Sequence, residues 1–208
     1  MTQMKVVRPP FQGVPILCID EFLEPLEAQL VLRKCLTLRT EFEPGKVING
    51  PFSATLDPSW RTNDTVRDGL MLREVRSILR SRIWTEECRR IWHEGYYLFD
   101  VINYATSHEV VISRYGKGEF YKKHQDITWD RVQRRIITLV YYINKEPKRF
   151  GGGQLNLWDR DKRITIEPRN NLVVVFPSFA FHEVEMVEVD GEEWDTARFS
   201  VNYWLGFN

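Results

Sequence analysis

Apolar positions in the first half of the chain recur at helical spacing. Leu26, Leu30, Leu32 and Leu36 fall along a helix predicted over residues 25–39, with Pro25 in the first turn, where its missing N–H costs nothing. Before it, residues 14–19 form a mostly apolar run of strand length that stops at Asp20. Residues 43–63 lose any period: Pro44, Gly45, Gly50, Pro51 and Pro58 interrupt them, which predicts a long irregular loop. Asp64 then stands as an N-cap for a second helical region reaching about Trp92, broken in its middle. From about Tyr96 the period changes to two. Runs over residues 109–115, 120–126, 135–143, 153–158, 163–167, 172–176, 182–187 and 198–207 read as strands. Turn chemistry separates them, including Gly116-Lys117-Gly118, Gly151-Gly152-Gly153 and Asp190-Gly191.

Strands in this number and spacing predict a mainly β fold with α: a double-stranded β-helix (jelly roll) core with N-terminal helices packed on it. No repeat or linker divides the chain. Residues 1–208 therefore read as a single domain, with a helical part and loop over about 1–95 and a jelly-roll catalytic core over about 96–208. Aromatic residues, at 13%, run high enough to suit a β-rich core or an aromatic-lined pocket. Lys+Arg and Asp+Glu both number 29, so net charge gives no reason to expect nucleic acid or an anionic membrane as partner. The first ten residues lack the apolar run of a signal peptide, and no stretch approaches the ~18 apolar residues of a membrane span. Cys18, Cys35 and Cys88 have no CxxC spacing and read as reduced thiols, which sets the expectation of a cytoplasmic protein.

The sharpest short motif is His124-Gln125-Asp126. On a strand, residues i and i+2 point the same way, so the His and the Asp can meet one metal ion from a strand end. His182, at the head of a later run, is the available third donor. Two imidazoles and a carboxylate on one face of an octahedron leave three positions open, the arrangement of non-haem Fe(II) oxygenases. By itself the HxD pair recurs by chance in many proteins. His93 and His108 read as surface or satisfied core histidines.

Alternation along the last strand puts Arg198, Ser200, Asn202 and Trp204 on one face. An inward row led by Arg is costly unless an anion meets it. A bidentate Arg–carboxylate pair with Ser200 beside it would hold the far end of a dicarboxylate, whose near end, a 2-oxo acid, could chelate iron. The alternative is an edge strand whose polar face is solvated and whose Arg198 makes a surface ion pair.

The ordered set Ser113-Arg114-Tyr115-Gly116, His124-Gln125-Asp126, the run from Arg135 to Asn144 with Tyr141-Tyr142, Gly152-Gly153-Gln154-Leu155, Val175-Phe176-Pro177, Phe181-His182-Glu183-Val184 and Arg198-Phe199-Ser200-Val201-Asn202-Tyr203-Trp204 resembles the 2-oxoglutarate- and Fe(II)-dependent dioxygenases, in their prolyl-hydroxylase-like branch. The resemblance covers about residues 109–207. It implies His124, Asp126 and His182 as iron ligands and Arg198 as the grip on the distal carboxylate of 2-oxoglutarate. It further implies Tyr115 and Tyr142 near the co-substrate, Leu155 and Trp204 as pocket walls, and O₂ as the oxidant, with ascorbate of use in an assay. Ordinary core packing is the competing account of Tyr115, Tyr142, Leu155 and Trp204.

Substrate choice is less legible. Trp60 and Arg61, in the long loop, and Arg135, in the Arg-rich segment after the HxD motif, are the candidate contacts. The expected partner is a peptide or protein with a prolyl residue, or a small molecule such as a free amino acid or a natural-product intermediate. A non-catalytic jelly-roll binding protein and a two-His, one-carboxylate zinc hydrolase are the competing classes, and the second gives Arg198 no role. Oligomeric state stays open.

Overall fold

The computed structural model describes residues 4–8, 13–50, 53–127, 134–189, 191 and 194–207. In chain order its first strands are β1 (Lys5–Val7), β2 (Leu17–Asp20), β3 (Glu43–Pro44), β4 (Val47–Gly50), β5 (Ser53–Thr55), β6 (Asp64–Val66), β7 (Ser107–Tyr115) and β8 (Tyr121–His124). Then follow β9 (Arg134–Ile143), β10 (Phe150–Gly152), β11 (Leu155–Asp159), β12 (Lys162–Ile166), β13 (Leu172–Pro177), β14 (His182–Val184), β15 (Val187–Val189) and β16 (Arg198–Phe207). Three α-helices, α1 (Pro25–Thr37), α2 (Arg73–Ile83) and α3 (Glu86–Gly95), complete a mainly β structure. One large sheet runs β1-β2-β13-β9-β16-β7-β6-β3, and a smaller one runs β12-β11-β14-β8.

Strand parity separates two apolar layers. Leu139, Tyr141 and Ile143 of β9, with Val201, Tyr203 and Leu205 of β16, face the helices and share one core with Val31, Val75, Leu79 and Trp92. Val140 and Tyr142, one residue out of phase, belong to a second core with Val174 and Phe176 of β13 and Leu155 and Leu157 of the small sheet. Because β9 and β13 are covered on both faces, they are nearly continuous apolar runs. The same parity that sends Val201 and Tyr203 to the helices turns Arg198, Ser200, Asn202 and Trp204 toward the small sheet.

Several sequence expectations change here. Helix α1 forms as the Pro25 signal predicts, with a capping box in which Glu24 N–H donates to Glu27 Oε2 (3.1 Å). Its buried stripe is Ala28, Val31 and Cys35, however, and Leu26 is 68% exposed. Asp64 caps no helix. It lies in β6, paired to β7, and its carboxylate takes the Arg114 guanidinium at 3.3 Å. The helical region is divided at Trp84–Thr85, where Thr85 Oγ1 accepts from Cys88 N–H and starts α3. Residues 43–63 are not simply irregular, since they hold β3 and the β4–β5 pair. Strands β1, β2, β3 and β6, from the first half of the chain, extend the large sheet. Met1–Gln3, the Pro9-Pro10 pair, Pro51, residues 128–133 of the Arg-rich segment and Asp190 lie outside the described residues.

Candidate active site

Cross-strand register builds the site. In the small sheet His182 pairs directly with His124, at the end of β8. The chain leaves β8 there, and Asp126 N–H donates to Ser178 O (2.9 Å), which swings the Asp126 carboxylate toward both imidazoles. Asp126 Oδ1 lies 3.8 Å from His124 Nε2, and Oδ2 lies 3.4 Å from His182 Nε2. One ligand atom from each of the three residues falls within 4.8 Å of the others, a spread that one ion can bridge.

Each imidazole is oriented by a backbone carbonyl. His124 Nδ1 is 2.7 Å from Lys122 O and His182 Nδ1 is 3.0 Å from Ala180 O. A carbonyl can only accept, so each Nδ1 carries a proton and each Nε2 faces the centre. Burial holds His124 neutral, with its pKa lowered to about 3, helped by the nearby His182 and opposed by Asp126. Burial alone would raise the Asp126 pKa, but His182, His124 and Arg135 outweigh it and keep the carboxylate ionised. Thr138, opposite Trp204 in the register, donates from Oγ1 to Asp126 Oδ2 (3.0 Å) and lies 3.0 Å from Ser178 Oγ. The Tyr121 ring stacks on His124 at 3.5 Å between centroids.

Behind the triad is a cavity of about 700 Å³. Its wall includes Tyr115, Leu155, Arg198, Ser200 and Trp204, together with Trp60, Arg61 and Arg135. Arg198 is 1% exposed, although β16 is a central strand between β9 and β7. Its Nε donates to Gly153 O at 2.9 Å and Nη1 reaches Ser200 Oγ at 3.4 Å. Among the described residues no carboxylate pairs with it. Tyr115 and Tyr142 flank the guanidinium, with ring centroids 4.8 and 4.9 Å from it. Gly153 permits this packing: its φ is +66°, and a Cβ there would meet Arg198 Cδ at 2.7 Å. Tyr142 stands behind Arg198 and not on the cavity wall, and among the described residues its buried hydroxyl meets no partner at full hydrogen-bond geometry. Burial raises both phenol pKa values, that of Tyr142 to about 12, so both remain O–H donors.

The weak substrate candidates divide. Trp60 and Arg61 belong to a segment docked on the edge of the small sheet, where Lys122 N–H donates to Trp60 O (2.9 Å) and Arg61 bridges Tyr121. Trp60 is 39% exposed at the rim. Arg135 lines the cavity, but its charge is already matched: Nε donates to Glu109 Oε2 (3.0 Å) and the guanidinium lies 3.9 Å over Trp204. Sequence reasoning missed Thr138, Ser178 and Tyr121. Strand parity could have found Thr138 once β9 and β16 were paired, whereas the Ser178 turn gives no signal of its own. His93 is largely exposed near Asp100, and His108 stacks on Tyr203, both away from the triad.

The donor set fits a divalent iron ion: two imidazoles and one anchored carboxylate, all from one side. The buried, uncompensated Arg198 fits a carboxylate. Residues 110–206 match the family model described as the 2OG-Fe(II) oxygenase superfamily. An uncharacterized PKHD-type hydroxylase of Synechocystis sp. is 26% identical over 197 residues, which is 90% of this chain and 61% of that protein. A PKHD-type hydroxylase of Picosynechococcus sp. is 26% identical over 102 residues, 49% of this chain and 46% of that one. The chain thus spans less than two thirds of the length of these curated relatives. Among solved structures, a Pseudomonas putida prolyl-4-hydroxylase matches with TM-score 0.67 at 21% identity, over 94% of this chain and 93% of that one. A Trichoplax adhaerens prolyl hydroxylase, in complex with a hypoxia inducible factor peptide fragment, matches with TM-score 0.66 at 20% identity, over 92% and 83%. The 2OG-Fe(II) oxygenase match, over just under half of the chain, spans β7 to β16 and so takes in His124, Asp126, His182 and Arg198.

Proposed function

We propose that the protein is an Fe(II)- and 2-oxoglutarate-dependent dioxygenase that hydroxylates a C–H bond, that of a prolyl residue in a polypeptide. The observation that carries this reading is the buried Arg198, without a carboxylate partner, in the same cavity as the His124–Asp126–His182 cluster. In this reading the two facing sheets are a jelly roll, and the described parts form one domain, supported by the apolar core that α2 and α3 share with β16.

His124, Asp126 and His182 would hold the metal through Nε2, a carboxylate oxygen and Nε2. Iron and 2-oxoglutarate, when bound, supply the oxidising chemistry, in which O₂ is consumed, the co-substrate loses CO₂ to give succinate, and the substrate gains a hydroxyl. The chain supplies placement. Arg198 and Ser200 orient the distal carboxylate, and the Tyr142 ring, 4.9 Å from the guanidinium, packs behind that grip. Tyr115, Leu155 and Trp204 wall the cavity and limit water. Thr138 fixes which Asp126 oxygen turns to the metal.

A prolyl residue is favoured over a free amino acid because the prolyl hydroxylases named above share the fold over nearly the whole chain, one of them bound to a peptide. Three buried, free cysteines support a reducing, cytoplasmic setting. The test is incubation with Fe(II), ascorbate, O₂ and 2-oxoglutarate against panels of prolyl peptides and free amino acids, read by succinate release and mass spectrometry. A prolyl peptide gaining one oxygen atom supports the proposal. Turnover on free amino acids alone would shift the substrate, and no succinate with either panel would overturn the reading.

A further inference from the structure

The cavity wall carries an excess of positive charge. Lys46, Arg61, Arg67, Lys123, Arg135 and Arg198 line it, against Asp57 and Asp126 among the described residues. Most of these charges have an assignment. Arg135 and Arg67 share Glu109, at 3.0 and 3.6 Å. Asp57 is occupied by the N–H and hydroxyl of Ser59 (3.1 and 2.6 Å). Asp126 faces the imidazoles, and Arg198 is set aside for the co-substrate.

Arg61 is left over. It is 7% exposed and pairs with no carboxylate among the described residues. Its Nε donates to Asn63 Oδ1 and its Nη1 to Lys46 O (3.1 Å), which fixes the plane of the fork, while among the described residues the second amino group has no acceptor. The guanidinium lies 4.4 Å over the Tyr121 ring, and that ring lies on His124. An anion at Arg61 would therefore sit two stacked layers from a proposed metal ligand. Arg67, nearby, is held below its ordinary pKa by burial and then by Arg61 and Arg135, against the pull of Glu109, a sign of positive charge crowded at this rim. A buried, rigid and uncompensated guanidinium is costly to keep unless an anion arrives to meet it.

We infer that the substrate carries an oxyanion, a carboxylate or a phosphate, close to the carbon that is oxidised, and that Arg61 receives it with help from Lys46 and Arg67. This rests on the dioxygenase reading and narrows its substrate class.

The test uses the full chain, loaded with Zn(II) and saturated with 2-oxoglutarate so that Arg198 is occupied. It is titrated with the C-terminal methylamides of N-acetyl-L-glutamate and of N-acetyl-O-phospho-L-serine and with the uncharged isostere N-acetyl-L-glutamine methylamide, and binding is followed by NMR of the Trp60 indole. The expected result is binding of one or both anions about tenfold or more tighter than the glutamine derivative, as a charge-assisted bidentate contact supplies. The two anions also separate the carboxylate source from the phosphate source. Arg61→Gln should remove the preference, and Lys46→Gln, at an exposed position, should reduce it. Equal binding of charged and uncharged probes, or a preference that survives both substitutions, overturns the inference. Calorimetry of 2-oxoglutarate with the metal-loaded protein keeps the two readings apart. Its failure there sinks the dioxygenase reading, whereas a missing anion preference with 2-oxoglutarate bound sinks the anionic substrate alone.

Discussion

Replacing Arg198 by Met separates a residue kept for a ligand from one kept for the fold. The guanidinium is 1% exposed, donates to one carbonyl at 2.9 Å and makes a longer contact of 3.4 Å to Ser200. Removing it strands the Gly153 carbonyl, which costs about 1–3 kcal/mol. It also ends the burial of a charge with no counter-charge among the described residues, a penalty of several kcal/mol. Met is unbranched and long enough to fill most of the same space. The ligand-free variant should therefore be at least as stable as the parent, within ~1 kcal/mol. The ligand response should differ sharply. At about 100 times its Kd, a ligand stabilises the folded state by ~2.7 kcal/mol, which for a chain of this size is a rise in Tm of about 5–10 °C. Thermal melts of Mn(II)-loaded protein with and without 2-oxoglutarate read both quantities. The parent should shift and Arg198→Met should not. If the variant shifted as far as the parent, or if its ligand-free form lost more than ~3 kcal/mol, Arg198 would be satisfied inside the fold and the reasoning would fail.

Thr138→Val removes the hydroxyl that donates to Asp126 Oδ2. Metal affinity, measured by competition with a chelator, should fall about 10–100-fold with little change in melting temperature. His108 should make stability pH-dependent. Burial first, and then Arg80 and Arg76, hold its folded pKa below the ordinary 6.5, so the unfolded chain binds the proton more readily. The stability it contributes is complete above about pH 6.5 and declines as pH falls toward the lower folded value. His108→Phe, keeping a ring against Tyr203, should lose less stability than the parent between about pH 7 and pH 5, as followed by chemical denaturation. Trp92→Ala should cost about 3–5 kcal/mol in the same measurement, because the ring is fully buried and its Nε1 donates to Ile83 O at 2.9 Å.

What the sequence revealed depended on range. Strand parity is local and exact, so the inward row from Arg198 to Trp204 could be read without knowing its neighbours, and the structure turns all four residues to the cavity. The HxD pair and His182 were readable as residue types, but their convergence depends on the β8–β14 pairing and the turn at Ser178, which no local pattern encodes. Asp64 shows the opposite failure. Its chemistry suits a helix cap, yet a long-range ion pair to Arg114 and the edge of β7 claim it for a strand. The segment around residues 43–63 read as an irregular loop because its strands are two to four residues long, too short to display a period of two. Arg135 looked available for substrate because its partner Glu109 is a distant residue on another strand.

The central claim is that the His124–Asp126–His182 cluster and Arg198 form one site for a metal and a dicarboxylate. Anaerobic calorimetry tests it directly, with 2-oxoglutarate titrated into the chain with Fe(II) and again after the metal is removed. The account predicts one equivalent bound to the Fe(II) form, with affinity at least about tenfold weaker without metal, in Asp126→Ala and in Arg198→Met. Equal affinity with and without metal, or binding undiminished by Arg198→Met, would contradict it.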